Sequence, residues 1–299
     1  MKKQAVGGQA LIEGVMMQSK DKRAVAVRKS DGEIIIKKNK IKSWISEKNI
    51  DKIPFIRGSF VLIETMIEGI KSLNFSSEFF LEEEEEDFFD KIIKKVFKDK
   101  ANDIILLFSL VLSLILSIGL FILLPTVVGG VFSKFASNDL LLNLIEGLIR
   151  ISILFGYIIL ISKNKDIERV FQYHGAEHKS IYCYENNLEL TVENARKFGR
   201  LHPRCGTNFL FIVMFISIIL FSFFGWPNPI MRVVMRIICI PIVAGISYEI
   251  IRFLGKYNNK FTKIVAYPGM MLQNFTTKEP DDEQLEVAIA ALKAVVDEK

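Results

Sequence analysis

The chain reads as a mainly α membrane protein: four transmembrane helices, a small α+β N-terminal cytoplasmic unit and a C-terminal amphipathic helix. Three observations carry that expectation. Half of the 299 residues are apolar and the mean hydropathy is +0.30, high for a water-soluble protein. The apolar residues gather into four runs, Ile104–Leu124, Leu140–Ser162, Phe209–Trp226 and Ile230–Leu254, each long enough to cross a hydrocarbon core of about 30 Å. Basic residues are distributed unevenly around those runs. A soluble α/β protein would break such runs at shorter intervals with turn residues.

Residues 1–56 are expected to form a β-rich cytoplasmic unit. The opening MKKQAVGGQALIEG interrupts its apolar part with glycines and a glutamate, so it lacks the apolar core of a cleavable signal peptide. Arg23–Arg28 and Glu33–Lys38 are short β-branched runs around Ser30-Asp31-Gly32, which is hairpin turn chemistry. The stretch Gly7–Gln18, GGQALIEGVMMQ, holds three glycines and a lone acid, Glu13. It reads either as a turn and strand or as a loop lining a site, since glycine permits tight turns and close backbone approach.

Residues 57–102 are expected to be amphipathic interfacial helices around an acidic loop. From Gly58 to Phe80, Phe60, Ile63, Met66, Ile67, Ile70 and Leu73 recur at helical steps. Asp87–Lys100 repeats the theme with a basic face suited to anionic lipid. Glu82–Glu86 between them reads as a solvated loop, the usual meaning of a one-sided charge run. Residues 103–162 hold transmembrane helices 1 and 2, and 208–255 hold helices 3 and 4.

The intervening segment, 163–207, is rich in lysine and arginine, and so is the tail over 256–299. The loops Pro125–Asn138 and Pro227–Pro229 hold only Lys134 between them. Cytoplasmic loops carry the basic excess, so both termini are expected in the cytoplasm. The net charge of +5 is then chiefly a topology signal and gives no reason to expect nucleic acid as a partner. Cys183, Cys205 and Cys239 are an odd number without paired spacing, so no disulfide framework is expected, and Cys183 reads as buried helix packing. In the tail, Pro280 followed by Asp281, Asp282 and Glu283 marks a helix start, and Leu285, Ala288, Ile289, Leu292 and Val296 form a stripe expected to pack on the N-terminal unit.

All three histidines, His174, His178 and His202, fall in the 163–207 connection. On a helix, His174 and His178 at i and i+4 share a face, and Glu177 lies near it. H-x-x-E-H is also the inverzincin order. The later LHPRCGTNF offers His202 and Cys205, three residues apart, with Pro203 and Gly206 favouring a turn. His174, His178, His202 and Cys205 are therefore the candidate metal ligands, with Glu177 as ligand, anchor or general base. Imidazole with thiolate suits Zn²⁺ or Fe²⁺ better than Mg²⁺. The plain alternative is a helix whose histidines only form hydrogen bonds.

Charges also occur inside the runs: Glu146 and Arg150 in the second, Arg232, Arg236, Glu249 and Arg252 in the fourth. A charge at mid-membrane costs at least about 2.5–3.5 kcal/mol on insertion scales and is expected to be paired. Glu146 and Arg150 match by i,i+4 spacing, and Arg236 is expected to approach them. This reads as an interhelical ion pair or as a polar cavity for an anion. Glu249 near the end of its run and Glu13 in the glycine-rich stretch are candidates for support around the metal group.

The motifs GGQALIEGVMMQ, YHGAEHK, LHPRCGTNFL, GISYE and TTKEPDDEQLEVAIAAL together resemble the YqhQ family of bacterial membrane proteins, over nearly the full length. The resemblance implies a multi-pass protein of the bacterial inner (plasma) membrane and a metal-dependent enzyme. It matches His174, Glu177, His178, His202 and Cys205 by position and supplies no substrate. The reading is a membrane-embedded hydrolase with its site at the cytoplasmic face, Glu177 activating a water. A full His₃Cys set would instead favour a non-catalytic, metal-stapled scaffold or assembly factor, since closed sites are usually structural. A transporter subunit using the buried charges is the third reading, and four spans leave little room for a pathway unless the chain forms a homo-oligomer.

Overall fold

The computed structural model describes residues 4–80, 101–134, 138–257 and 259–296. The acidic run Glu82–Glu86 and the basic helix expected over Asp87–Lys100, the surface assigned to anionic lipid, lie outside the described residues. The chain divides into two compact units. One gathers residues 1–80, 157–216 and 241–299, the other residues 81–156 and 217–240.

The first unit is built on a four-stranded antiparallel meander, β1 (Gly7–Leu11), β2 (Gly14–Gln18), β3 (Lys22–Arg28) and β4 (Ile34–Lys40), in that order. GGQALIEGVMMQ is thus a hairpin, with Gly7 opposite Gln18 and Leu11 opposite Gly14. The Ser30-Asp31-Gly32 turn forms as expected, with Gly32 at φ 88° and Asp31 accepting from the Glu33 N–H at 2.9 Å. Both sheet faces are buried, which is why β2 reads as a continuous apolar run. Val15, Met17, Ala24 and Ala26 face one core, and Leu11, Met16, Val25 and Val27 face another with Phe75, Phe79 and Phe80.

Among the helices, α1 (Trp44–Glu47) is a single turn and α2 spans Ile56–Ser77. α2 buries its small residues, Gly58, Gly69, Ser72 and Ser76, and exposes Ile63, Met66, Ile67 and Leu73. Close packing explains the inversion: a Cβ at Gly58 would lie 2.6 Å from Tyr248. The helix α6 (Lys165–Glu185) starts where Asn164 caps the Asp166 N–H at 2.8 Å. α7 (Val192–Arg196) is short, and α10 (Lys260–Thr276) begins with an Asn259/Thr262 capping box. α11 (Asp282–Val295) is capped by Asp281 with Gln284, so Pro280 precedes the cap instead of occupying the first turn. Leu285, Ala288 and Leu292 of α11 pack on the sheet, as the stripe predicts.

Of the apolar runs, the first is α3 (Ala101–Ile118), a π turn over Gly119–Leu123 and α4 (Leu124–Val131). The second is α5 (Asp139–Ile161), the third α8 (Gly206–Ser222) and the fourth α9 (Pro229–Lys256). Among the described residues, three helices, Leu107–Val131, Asp139–Ile161 and Pro229–Lys256, are long and apolar enough to cross a membrane. The third run ends early: α8 has 17 residues, because Gly225, at φ 67°, and Pro227 break it before Trp226 is reached helically.

Candidate metal centre

Three sequence motifs meet around α6. Gly175, the glycine of HGAEH, leaves room for the TTKEP segment to cross the helix: a Cβ there would lie 2.1 Å from the Lys278 carbonyl. That segment is held by a Lys278 N–H to Phe171 carbonyl bond of 2.8 Å and by the buried Lys179 paired with Glu279. The LHPRC loop is fixed from α10 by Gln273, wholly buried. Its amide accepts from the His202 N–H at 2.7 Å and donates to the His202 carbonyl at 2.8 Å.

These placements bring His174, His178 and Cys205 together, with one ligand atom from each lying within 4.8 Å of the others. His174 Nδ1 donates to the Thr276 carbonyl at 2.9 Å, which leaves Nε2 as the lone-pair nitrogen, 3.1 Å from Cys205 Sγ. His178 Nδ1 likewise donates to the Arg200 carbonyl. Its Nε2 is buried, faces Cys205 and has no partner in hydrogen-bond geometry. Metal-ligating histidines characteristically anchor the other ring nitrogen in this way. Burial pushes the His178 pKa below its ordinary value, against the pull of Cys205, so the ring is held neutral, the form that binds metal. Cys205 stands just before α8 and receives the Thr207 hydroxyl at 3.2 Å.

Glu177 is buried on the same helix turn. Gly8 of β1 comes so close that a Cβ would lie 2.9 Å from the Glu177 carboxyl and 2.7 Å from the Met16 carbonyl. Burial raises the Glu177 pKa to about 7, although His174 and a hydrogen bond from the Gly8 backbone oppose the shift. A carboxyl poised near neutrality suits proton transfer. His174, Glu177, His178 and Cys205 line one cleft of about 330 Å³, walled on its far side by Gly7, Gly8 and Gln9. The glycine-rich stretch is therefore both strand and site wall.

His202 lines the same cleft but is not brought into the three-ligand group. Its Nδ1 accepts from the Arg204 N–H at 3.3 Å and its Nε2 faces Glu185 at 3.5 Å. Glu13, at φ 49° in the β1–β2 turn, pairs with Arg169, accepts from Tyr173 at 3.1 Å and does not join the ligands. Glu249 forms a two-pronged pair with Arg57, at 2.7 and 2.5 Å, and accepts the Phe55 N–H. Both acids thus hold structural clamps. Cys183 is buried in the core, as its surroundings predict. Sequence reasoning missed Gln273, Glu185 and the Thr276 and Arg200 carbonyls. No residue type marks a useful carbonyl, and Gln273 stands in an ordinary amphipathic helix.

In the second unit, the structure brings together Glu146, Arg150 and Arg236, and adds Arg232.

A helical protein with membrane-length apolar helices and a half-buried His/His/Cys group beside a buried carboxylate is the class these observations define. The chain belongs to the family described as protein of unknown function (DUF1385), whose model matches residues 53–298. It is 38% identical over 298 residues to the uncharacterized protein YqhQ of Bacillus subtilis (strain 168), covering 98% of this chain and 92% of that one. No solved structure matches.

Proposed function

We propose that the chain is a membrane-embedded, metal-dependent hydrolase acting at the cytoplasmic membrane face. The observation that carries this reading is the ligand count: two backbone-anchored imidazoles and one cysteine, beside a cleft and a buried acid. Three protein ligands with a further position open is the pattern of catalytic sites, whereas four mark structural ones. With His202 turned to Glu185, the closed-site argument for a metal-stapled scaffold loses its fourth ligand.

Zn²⁺ or Fe²⁺ held by His174, His178 and Cys205 would supply Lewis acidity toward an ester, peptide or phosphoester oxygen. Glu177 would take a proton from the attacking water and return it to the leaving group, with the Gly8 N–H orienting its carboxyl. Gly7 and Gly8 keep their own part of the cleft wall free of side chains, so a substrate backbone or headgroup can approach closely there.

Membrane embedding is supported by the three long apolar helices. A fourth crossing by α8 is supported by parity: α6 and α11 pack together with the sheet, so the chain between them must cross an even number of times. At 1.5 Å per residue α8 is about 25 Å long, near the lower limit for a span. The basic 163–207 and 256–299 segments support a cytoplasmic side for that unit, with both termini inside the plasma membrane.

Metal analysis of protein purified in detergent without chelators tests the proposal. One Zn or Fe per chain is expected, lost in His174→Ala, His178→Ala and Cys205→Ser but retained in His202→Ala. Glu177→Gln should keep the metal yet fail to restore function in a deletion strain. Absence of metal from the wild-type protein would overturn the reading.

A further inference from the structure

The second unit carries a buried excess of positive charge. Glu146 of α5 is almost wholly buried, and three guanidiniums converge on it. Arg232 reaches its Oε2 at 3.1 Å, Arg236 pairs with Oε1, and Arg150 stands 3.5 Å from the same oxygen. Thr126 of α4 also donates to Oε1 at 3.1 Å. One carboxylate thus faces three arginines, and among the described residues no second acid lies at ion-pair distance from them, Asp139 standing instead against Gly225.

The remaining interactions of the arginines do not supply negative charge. Pro125 has no N–H to offer the Phe121 carbonyl four residues earlier, and the chain forms a π turn there. Arg150 Nε takes that carbonyl at 3.1 Å. Arg232 lies over the Trp226 ring at 3.8 Å, and Arg150 and Arg236 lie near the Phe221 ring. Arg232 is 5% exposed, yet its Nε has no hydrogen-bond partner. Arg232 and Arg236 line a narrow cleft with Asn143, Phe221 and Gly225. Its enclosed space is about 10 Å³, the lower limit for a single oxygen atom of a larger group.

An ion pair fixing the helices would need one arginine for Glu146. Two guanidiniums left without a carboxylate among the described residues favour an external anion, since buried charges are stable only when paired. Forked donors match the oxygens of a phosphate better than any other common anion apart from carboxylate. Arg232 stands in the first turn of α9, within reach of a group at the end of that helix. We propose that Arg232 and Arg236 form a binding site for a phosphate group, delivered by an anionic phospholipid or by free phosphate. The site is separate from the metal centre and does not depend on the hydrolase reading.

The test uses the full chain in dodecyl maltoside, stripped of lipid by detergent washing. Thermal melts are recorded with phosphatidylglycerol, with phosphatidylcholine and with inorganic phosphate against chloride at equal ionic strength. A rise in melting temperature with phosphatidylglycerol alone supports a lipid source, and one with inorganic phosphate supports a free anion. Arg232→Gln should weaken the effective ligand at least tenfold. Should that variant fail to fold, Glu146→Gln decides, because removing the internal acid should at least double the ligand-induced shift. No shift in the wild-type protein, an undiminished shift in folded Arg232→Gln, or an unchanged shift in Glu146→Gln would each overturn the proposal.

Discussion

His178 Nε2 shows how the surroundings of one atom mark the candidate site, since His202 Nε2 is equally buried and without a hydrogen-bond partner. A buried nitrogen without a partner is costly unless something else satisfies it, and the neighbours of the His178 atom are a second Nε2 and a thiol. Glu177 beside it has a measurable consequence for the metal-free protein. Its pKa of about 7 in the fold exceeds the ordinary carboxylate value of 4.5, so the folded chain holds a proton that the unfolded chain releases. Stability is therefore full below about pH 4.5, falls as pH rises toward 7 and levels off above. Glu177→Gln should abolish that slope. In chelator-treated samples the variant and wild type should melt alike near pH 4.5. At pH 8 the variant should be more stable by as much as about 3 kcal/mol. Equal pH profiles would mean that the carboxyl is not desolvated.

Among the elements, α10 does most to shape the centre without contributing a ligand side chain. Its Gln273 grips both backbone groups of His202, and the Thr276 carbonyl at its end sets the His174 tautomer. Gln273→Leu would strand a buried N–H and a buried carbonyl, a loss of about 1–3 kcal/mol each by the usual cost of unsatisfied groups. Metal affinity should fall by roughly 10–100-fold, as for other supporting partners, read by competition with a chromogenic chelator. Retained affinity would show that the LHPRC loop holds its shape unaided. The same helix exposes Phe261, Ile264, Tyr267 and Phe275, and α2 exposes Ile63, Met66, Ile67 and Leu73. Under the proposed membrane reading, such outward apolar faces suit the lipid interface. The apolar periodicity of α2 predicts a helix correctly, yet small residues mark its packed face, because close approach to Tyr248 leaves no space for larger ones.

At the scale of the whole molecule, the decisive quantity is the number of crossings. Single cysteines at Ser133 and Asn228, in a background without the native three, should both react with a membrane-impermeant maleimide in intact cells. A cysteine at Lys197 should react only after lysis. Labelling of Ser133→Cys without Asn228→Cys would overturn the proposed crossing by α8.

The amino-acid sequence by itself determined the long helices, the sheet hairpin and the pairing of His174 with His178. Each follows from local rules: run length, turn chemistry and the 3.6-residue repeat. It also brought Cys205 and the buried charges into consideration, though without their geometry. Only the tertiary structure decided that Cys205 joins the two histidines while His202 turns to Glu185. It likewise decided that Glu13 and Glu249 clamp arginines and that Arg232 completes an unbalanced cluster around Glu146. Those outcomes depend on carbonyls, glycine clearances and an amide from segments far apart in the chain. Such backbone groups occur at every residue, so only the fold selects the few that aim a side chain.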